Sequence, residues 1–250
     1  MVSVRIRGVA PAALVDVIVD GHPLGVFPTR DGHAALLGID MDPPSGTLAW
    51  QLRATTNGAV VTAEGHLPIG ERTYSVQHLT VDRRMVELDP QTERRAADES
   101  ARLRTLYRAR SGERLWRGRF IRPVAGEEPG TGFGARRVIN GQPRAPHSGI
   151  DFAAPVGTPV VAANDGRVAL TGEFFFPGRL VILDHGLGLY TVYFHLDTIA
   201  VTEGQLVARG ERLGAVGMTG RVTGAHLHFG AQLGTARIDP AALLALAPPE

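Results

Sequence analysis

Short runs of β-branched and apolar residues, each closed by a glycine turn, recur along almost the whole of this chain. Val4-Arg5-Ile6-Arg7 and Val15-Asp16-Val17-Ile18-Val19 come first, the second followed by Asp20-Gly21. His33 to Ile39, Leu48 to Thr55, Ala59 to His66 and Arg72 to Val76 continue the series, with Asn57-Gly58 between two of the runs. Runs of this length with period-two alternation read as strands, and Asn-Gly between two of them is a hairpin signal. Glycine supplies 31 of the 250 residues, well above the usual share of about 7%, as a chain of many tight turns needs. The expected fold class is mainly β.

Three segments are expected. Residues 1–88 read as a small β-sandwich of immunoglobulin-like spacing. Residues 89–130 are a helix and linker: Asp89-Pro90 supplies an N-cap and a first-turn proline, and the helix runs to about Arg108. Ala96, Leu103 and Leu106 or Tyr107 share one of its faces, while Glu93, Arg94, Arg95, Asp98 and Arg102 face water. Residues 111–146 look mostly irregular, with Gly126 to Gly132 as loop and Trp116 and Phe120 as anchors. Residues 131–250 form a second β-rich domain. Its expected strands are Thr158 to Ala163, Gly166 to Thr171, Leu180 to Asp184, Leu189 to His195, Arg212 to Val216 and His226 to Leu233, before a short helix over Ala241 to Leu246.

Composition removes several chemistries. All 26 basic residues are arginine, so a Schiff-base, P-loop or lipoyl lysine is impossible. There is no cysteine, so a metal site must be built from histidine and carboxylates. A formal charge of +1 gives no electrostatic case for nucleic acid. No apolar stretch approaches the roughly 20 residues of a membrane span, so the chain is not expected to be transmembrane. Met1 to Arg7 alternates like a strand and not like a signal peptide, which fits a cytoplasmic protein or a trimmed start.

Chemistry concentrates in the histidines. His226 and His228, at i and i+2 behind a glycine-rich stretch, would point to one face of a strand, roughly 6–7 Å apart. One could then hold a metal while the other reaches a water on it. His147 and Asp151 offer two more ligands. Fully extended they would lie roughly 13 Å apart, so the chain must bend between them, and Gly149 is the residue that permits a bend. Two histidines and one aspartate suit an open catalytic zinc site. H-E-x-x-H is absent, so a base must come from elsewhere, and Tyr193-Phe194-His195-Leu196 supplies a third histidine segment. His22, His33, His66 and His78 read as surface or packing residues, and His185 as structural.

Five strings fall in one order: Phe133-Gly134-Ala135-Arg136, His147-Ser148-Gly149-Ile150-Asp151-Phe152, Asp184-His185-Gly186, Tyr193-Phe194-His195-Leu196, and Gly217 to Phe229. Together they span 97 residues, Phe133 to Phe229, and resemble the lysostaphin/LytM-like zinc metallopeptidases. The resemblance implies a duplicated-hybrid-motif fold related to biotinyl and lipoyl hairpin barrels. It implies one zinc ion held by His147, Asp151 and His228, with His195 and His226 as the catalytic pair. It implies a peptidoglycan endopeptidase acting on stem or cross-bridge peptides, periplasmic or secreted. Val222 and Ala225 depart from the residues many relatives carry, which leaves the loop's shape open. Arg136, Arg137 or Arg144 is expected to meet a stem-peptide carboxylate, and residues 130–144 and 171–179, with Phe174, Phe175 and Phe176, to wall the groove.

Two other readings compete. Val201 to Leu213 has the hairpin rhythm of carrier domains, but without a lysine to modify that function fails. A non-catalytic wall-binding or amidase-activating module gains from the N-terminal segment. That segment could also occlude the groove, with a side chain such as Asn140 filling the metal's open position.

Overall fold

The computed structural model describes residues 1–43, 46–56, 58–126 and 132–247. Asn57 and most of the expected 126–132 loop lie outside the described residues. The chain is mainly β.

The N-terminal strands are β1 (Val2–Arg7), β2 (Leu14–Val19), β3 (His22–Pro23), β4 (Val26–Thr29), β5 (Gly32–Leu37), β6 (Gly46–Thr56), β7 (Ala59–Ile69) and β8 (Val76–Leu79). They give one sheet in the order β1-β5-β4 and another in the order β3-β2-β6-β7. Ile6, Val17, Val19, Leu37 and Leu48 fill the space between the two. All six residues of β5 are buried. Leu37 faces this small core, whereas Ala34 and Leu36 join the main core of the C-terminal half. One strand thus serves two cores, and alternation along it decides which residue serves which.

Helix α1 (Pro90–Arg108) begins as expected, with the Asp89 carboxylate accepting from the Gln91 and Thr92 amides. Leu103, Leu106 and Tyr107 pack on Leu170, Phe174, Leu180, Ile182, Tyr190 and Val192, on the outer face of the large sheet. Glu99 accepts from the Phe175 amide at 2.7 Å, so the helix also fixes the turn that follows the next hairpin strand. Beyond it, Trp116 and Phe120 are 3% and 5% exposed; Trp116 meets Phe27 edge to face at 5.5 Å, which seals the N-terminal sheet to the main core.

The C-terminal strands are β9 (Arg136–Ile139), β10 (Gln142–Arg144), β11 (Gly149–Phe152), β12 (Pro159–Val161), β13 (Gly166–Phe174), β14 (Gly178–Gly186), β15 (Leu189–Ile199), β16 (Leu206–Val207), β17 (Arg212–Val216), β18 (Leu227–Leu233) and β19 (Ala236–Ile238), followed by helix α2 (Pro240–Ala245). The large sheet runs β11-β18-β15-β14-β13-β16, with β17 joining β15 to β12 and β19 flanking β18.

The 111–146 stretch is mostly irregular, as expected, but within it β9 and β10 form a hairpin over Asn140-Gly141, whose φ values of +50° and +79° suit a two-residue turn of positive φ. The expected strand over Arg72 to Val76 is displaced to β8. Tyr74 is instead taken up by Phe133, at 6.4 Å between rings, and by the guanidinium groups of Arg72 and Arg136. β8 then pairs in parallel with β9, a partnership across more than fifty residues that brings the first segment against the third.

Candidate metal centre

Three neighbouring strands build the floor. Asp151 on β11 pairs directly with His228 on β18, and His228 pairs in turn with Phe194 on β15. Direct cross-strand partners share a face, so a carboxylate, an imidazole and a phenyl ring stand in one row. The Phe194 ring stacks on His228 at 5.4 Å and 14°, which holds the imidazole upright. His147 enters from the segment before β11, where its amide donates to Ala135 O at 2.9 Å and its carbonyl accepts from the Gly134 amide at 2.8 Å.

His147 Nε2, His228 Nδ1 and Asp151 Oδ1 then form a near-equilateral triangle: 2.8 Å between the nitrogens and 3.0 Å from each nitrogen to the oxygen. Gly149 lies between His147 and Asp151 but is not the bend expected of it. It already belongs to β11, opposite Gly230, and has no positive φ. What it supplies is room, since an added Cβ would stand 2.7 Å from the His228 ring.

His195 reaches the same face by a local irregularity. In a regular strand it would point away from its neighbour Phe194. Here Arg179 pairs with Leu196 and Val181 with Tyr193, so Phe194 and His195 together oppose the single residue Leu180. This bulge, with φ of +63° at His195, turns the imidazole back toward the centre. Its Nδ1 donates to Thr219 O at 2.9 Å. His226, bridged to Gly217 just before β18, donates from Nδ1 to Gly224 O at 2.9 Å. The two rings lie 4.9 Å apart, and His226 Nε2 is 3.9 Å from Asp151 Oδ1. His147 and His228 are buried, whereas about a third of the Asp151 side chain is exposed, so the centre opens to solvent on the aspartate side.

Burial pushes the His195 and His228 imidazoles down, to about 3 and about 4, and both are neutral at physiological pH. Burial would raise the Asp151 carboxyl, but hydrogen bonds from His147 and His228 outweigh it and hold the group well below the usual carboxylate range.

Hydrogen bonding alone leaves the triangle poorly satisfied. Both nitrogens aim at one carboxylate oxygen and at each other, so two ring protons would crowd a single short gap. A cation resolves this, because three donor atoms about 3 Å apart can all touch an ion about 2 Å from each. The set is two nitrogens and one carboxylate oxygen, which suits zinc, and among the described residues it is the one cluster of this kind.

Some of the other expected residues change role and some keep it. Asn140 is spent, with both ends of its amide bonded to the Val81 backbone, and cannot fill an open metal position. Arg136 is paired with Asp42 on the N-terminal side, which leaves Arg137 and Arg144 beside the centre. Phe174 is core, whereas Phe176 lies under the Arg221 guanidinium at 4.2 Å. His185 is structural, fully buried between Asp165 O and the Thr191 hydroxyl, which in turn contacts the Tyr193 hydroxyl. Thr219 had no signal of its own. Its carbonyl orients His195 while its hydroxyl donates to Leu196 O and accepts from the Arg179 amide.

Fold and donor set together define a metal-dependent hydrolase on a β scaffold. Residues 145–240 match the profile of peptidase family M23, a family of metallopeptidases that use zinc. Over 85 residues it is 51% identical to the peptidoglycan DD-endopeptidase ShyA of Vibrio cholerae, covering 34% of this chain and 20% of that one. Over 104 residues it is 43% identical to the DD-carboxypeptidase/endopeptidase Mpg of Neisseria meningitidis, covering 42% and 24%. The chain therefore spans only about a fifth to a quarter of the length of these curated relatives. A crystal structure from Pseudomonas aeruginosa, described as a candidate M23 peptidase, superposes with a TM-score of 0.72 at 29% identity over 96% of both chains.

Proposed function

We propose that this chain is a zinc endopeptidase that hydrolyses stem or cross-link peptides of bacterial peptidoglycan, and that it works outside the cytoplasmic membrane. The observation that carries the proposal is the convergence of His147, Asp151 and His228 beneath the facing pair His195 and His226. Likeness to peptidoglycan endopeptidases across this same segment supports the substrate class. Among the described residues no helix is long and apolar enough to cross a membrane.

His147, Asp151 and His228 would hold the ion, which when bound supplies a Lewis acid that polarises the scissile carbonyl and lowers the pKa of water. The protein's own contribution lies in the histidine pair. Each donates from Nδ1 to a backbone carbonyl, so each neutral ring keeps Nε2 unprotonated. One ring takes the proton of the attacking water at Nε2 and passes it to the leaving amine nitrogen, and the other, when its Nε2 takes a proton from solvent, donates a hydrogen bond to the developing oxyanion. Fixing both rings on backbone carbonyls means neither must be reoriented during the reaction. The peptide would lie extended between the β9–β10 hairpin and the 217–226 loop. In this reading residues 131–250 are the peptidase domain, 89–130 the connector and 1–88 a β unit that buttresses it through β8.

Zinc content and muropeptide release from purified sacculi, compared between wild type and His226→Ala, test the reading. Both proteins should hold about one zinc, and only the wild type should release cleaved peptides. A wild type that holds zinc and releases nothing would leave a binding module.

A further inference from the structure

Arginine gathers on one rim of the metal centre without matching acids. Arg137 on β9 and Arg144 on β10 are direct cross-strand partners, a placement in which like charges repel. Arg221 lies in the loop closed by the Gly217–His226 bridge, its guanidinium laid on Phe176 at 4.2 Å. It is close enough that burial first, then the charges of Arg137 and Arg144, lower its pKa. The acids available do not offset three guanidinium groups. Arg137 has Asp151 at 3.8 Å, a carboxylate already shared with two histidines, and its Nε is buried without a hydrogen-bond partner. Arg144 bonds to Val86 O and to Gln142, both neutral. Arg221 has no ion-pair partner among the described residues.

Guanidinium cannot shed its charge in a protein, so a cluster of this kind is resolved by an anion from outside. Planar guanidinium forks match a carboxylate best. The nearest rim residue stands beside a metal ligand, so the anion must lie within a residue or so of the scissile amide. We infer that Arg137, Arg144 and Arg221 form a carboxylate subsite, and that the enzyme selects peptides bearing a free carboxylate next to the scissile bond. This rests on the proposed peptidase reading and narrows it. A D-alanyl–diaminopimelate cross-link carries such a carboxylate on the residue donating the amide nitrogen, whereas a glycine bridge carries none. Arg136, paired with Asp42, takes no part.

The test uses full-length, zinc-loaded protein carrying His226→Ala, so that ligand survives the measurement. Calorimetric titration compares two synthetic cross-link peptides that differ only in this group, free carboxylate against carboxamide. The free acid should bind at least about tenfold more tightly, with a preference that shrinks as salt rises. R137Q/R221Q should abolish the preference without weakening binding of the carboxamide, and R136Q should keep it. Should the double variant fail to fold, R144Q alone must reduce the preference. Equal binding of the two peptides, or a preference unchanged in R137Q/R221Q, overturns the inference. Because binding is read apart from turnover, absent hydrolysis by the unmutated protein would sink the peptidase reading while leaving this result to stand or fall by itself.

Discussion

Replacing Gly149 with alanine pushes a methyl group into the back of the metal centre. A Cβ there would lie 2.4 Å from Phe229 O and 2.7 Å from both Cε1 and Nε2 of His228, against 3.4 Å or more for ordinary contact. Restoring contact means opening the β11–β18 ladder by about 1 Å (3.4 less 2.4) or driving the His228 ring off its stack on Phe194. Overpacking of this kind costs roughly 1–3 kcal/mol. At roughly 2–4 °C per kcal/mol for a chain of this length, the melting temperature should fall by about 2–12 °C. The larger effect falls on the ion, since disturbing the support of a metal ligand typically costs about 10–100-fold in affinity. Gly224→Ala is the control, because a Cβ there meets nothing within 4 Å. Competition titration with a zinc chelator and scanning calorimetry on both variants give the two readouts. If Gly149→Ala binds zinc as tightly as the wild type, the packing of Gly149 against His228 does not set the centre's geometry, and the reasoning fails.

Other outcomes follow from the same geometry. His195→Ala should retain zinc and lose about 10²–10⁴ in turnover on a soluble muropeptide, as expected for removal of one of a proton-handling pair; loss of the metal instead would move His195 into the ligand set. His185 is held neutral by burial, at about 4 instead of the usual 6.5. Its folded pKa is depressed, so its stabilising contribution is complete above about pH 6.5 and disappears as pH falls toward 4, by at most about 3 kcal/mol. A glutamine there should flatten that acid limb in a pH series of melting curves. Asp40 receives the Arg237 amide at 2.8 Å and its guanidinium at 2.6 and 3.0 Å. Burial opposes its ionisation, but these bonds prevail and lower its pKa. Asp40→Asn should cost about 1–3 kcal/mol at neutral pH, measurable by urea unfolding, with the difference from wild type shrinking as pH drops below the ordinary carboxylate range.

What was legible in the sequence was whatever local chemistry dictates. The C-terminal strands stood out because apolar runs of strand length sit between glycine turns, and α1 because Asp89-Pro90 is an N-cap and a first-turn proline together. Five separate strings placed the histidines and Asp151 in one family order, although the family itself had to supply their roles. The β9–β10 hairpin did carry a signal, Asn140-Gly141, but its strands are too short to show alternation. The parallel union of β8 with β9 could not be read, since nothing within either strand names a partner more than fifty residues away. The bulge at His195 is likewise a property of register: Tyr193 to Leu196 looks like ordinary strand until Leu180 is seen to face two residues.

The two-faced burial of β5 also limits how this protein can change over generations. Modules joined by linkers can be traded between proteins, because each keeps its own interior. Here a single inserted or deleted residue within Gly32 to Leu37 would send Ala34 and Leu36 to the small interior and Leu37 to the large one, spoiling both at once. The N-terminal unit and the peptidase half are thus coupled through the register of β5, the strand that passes between them.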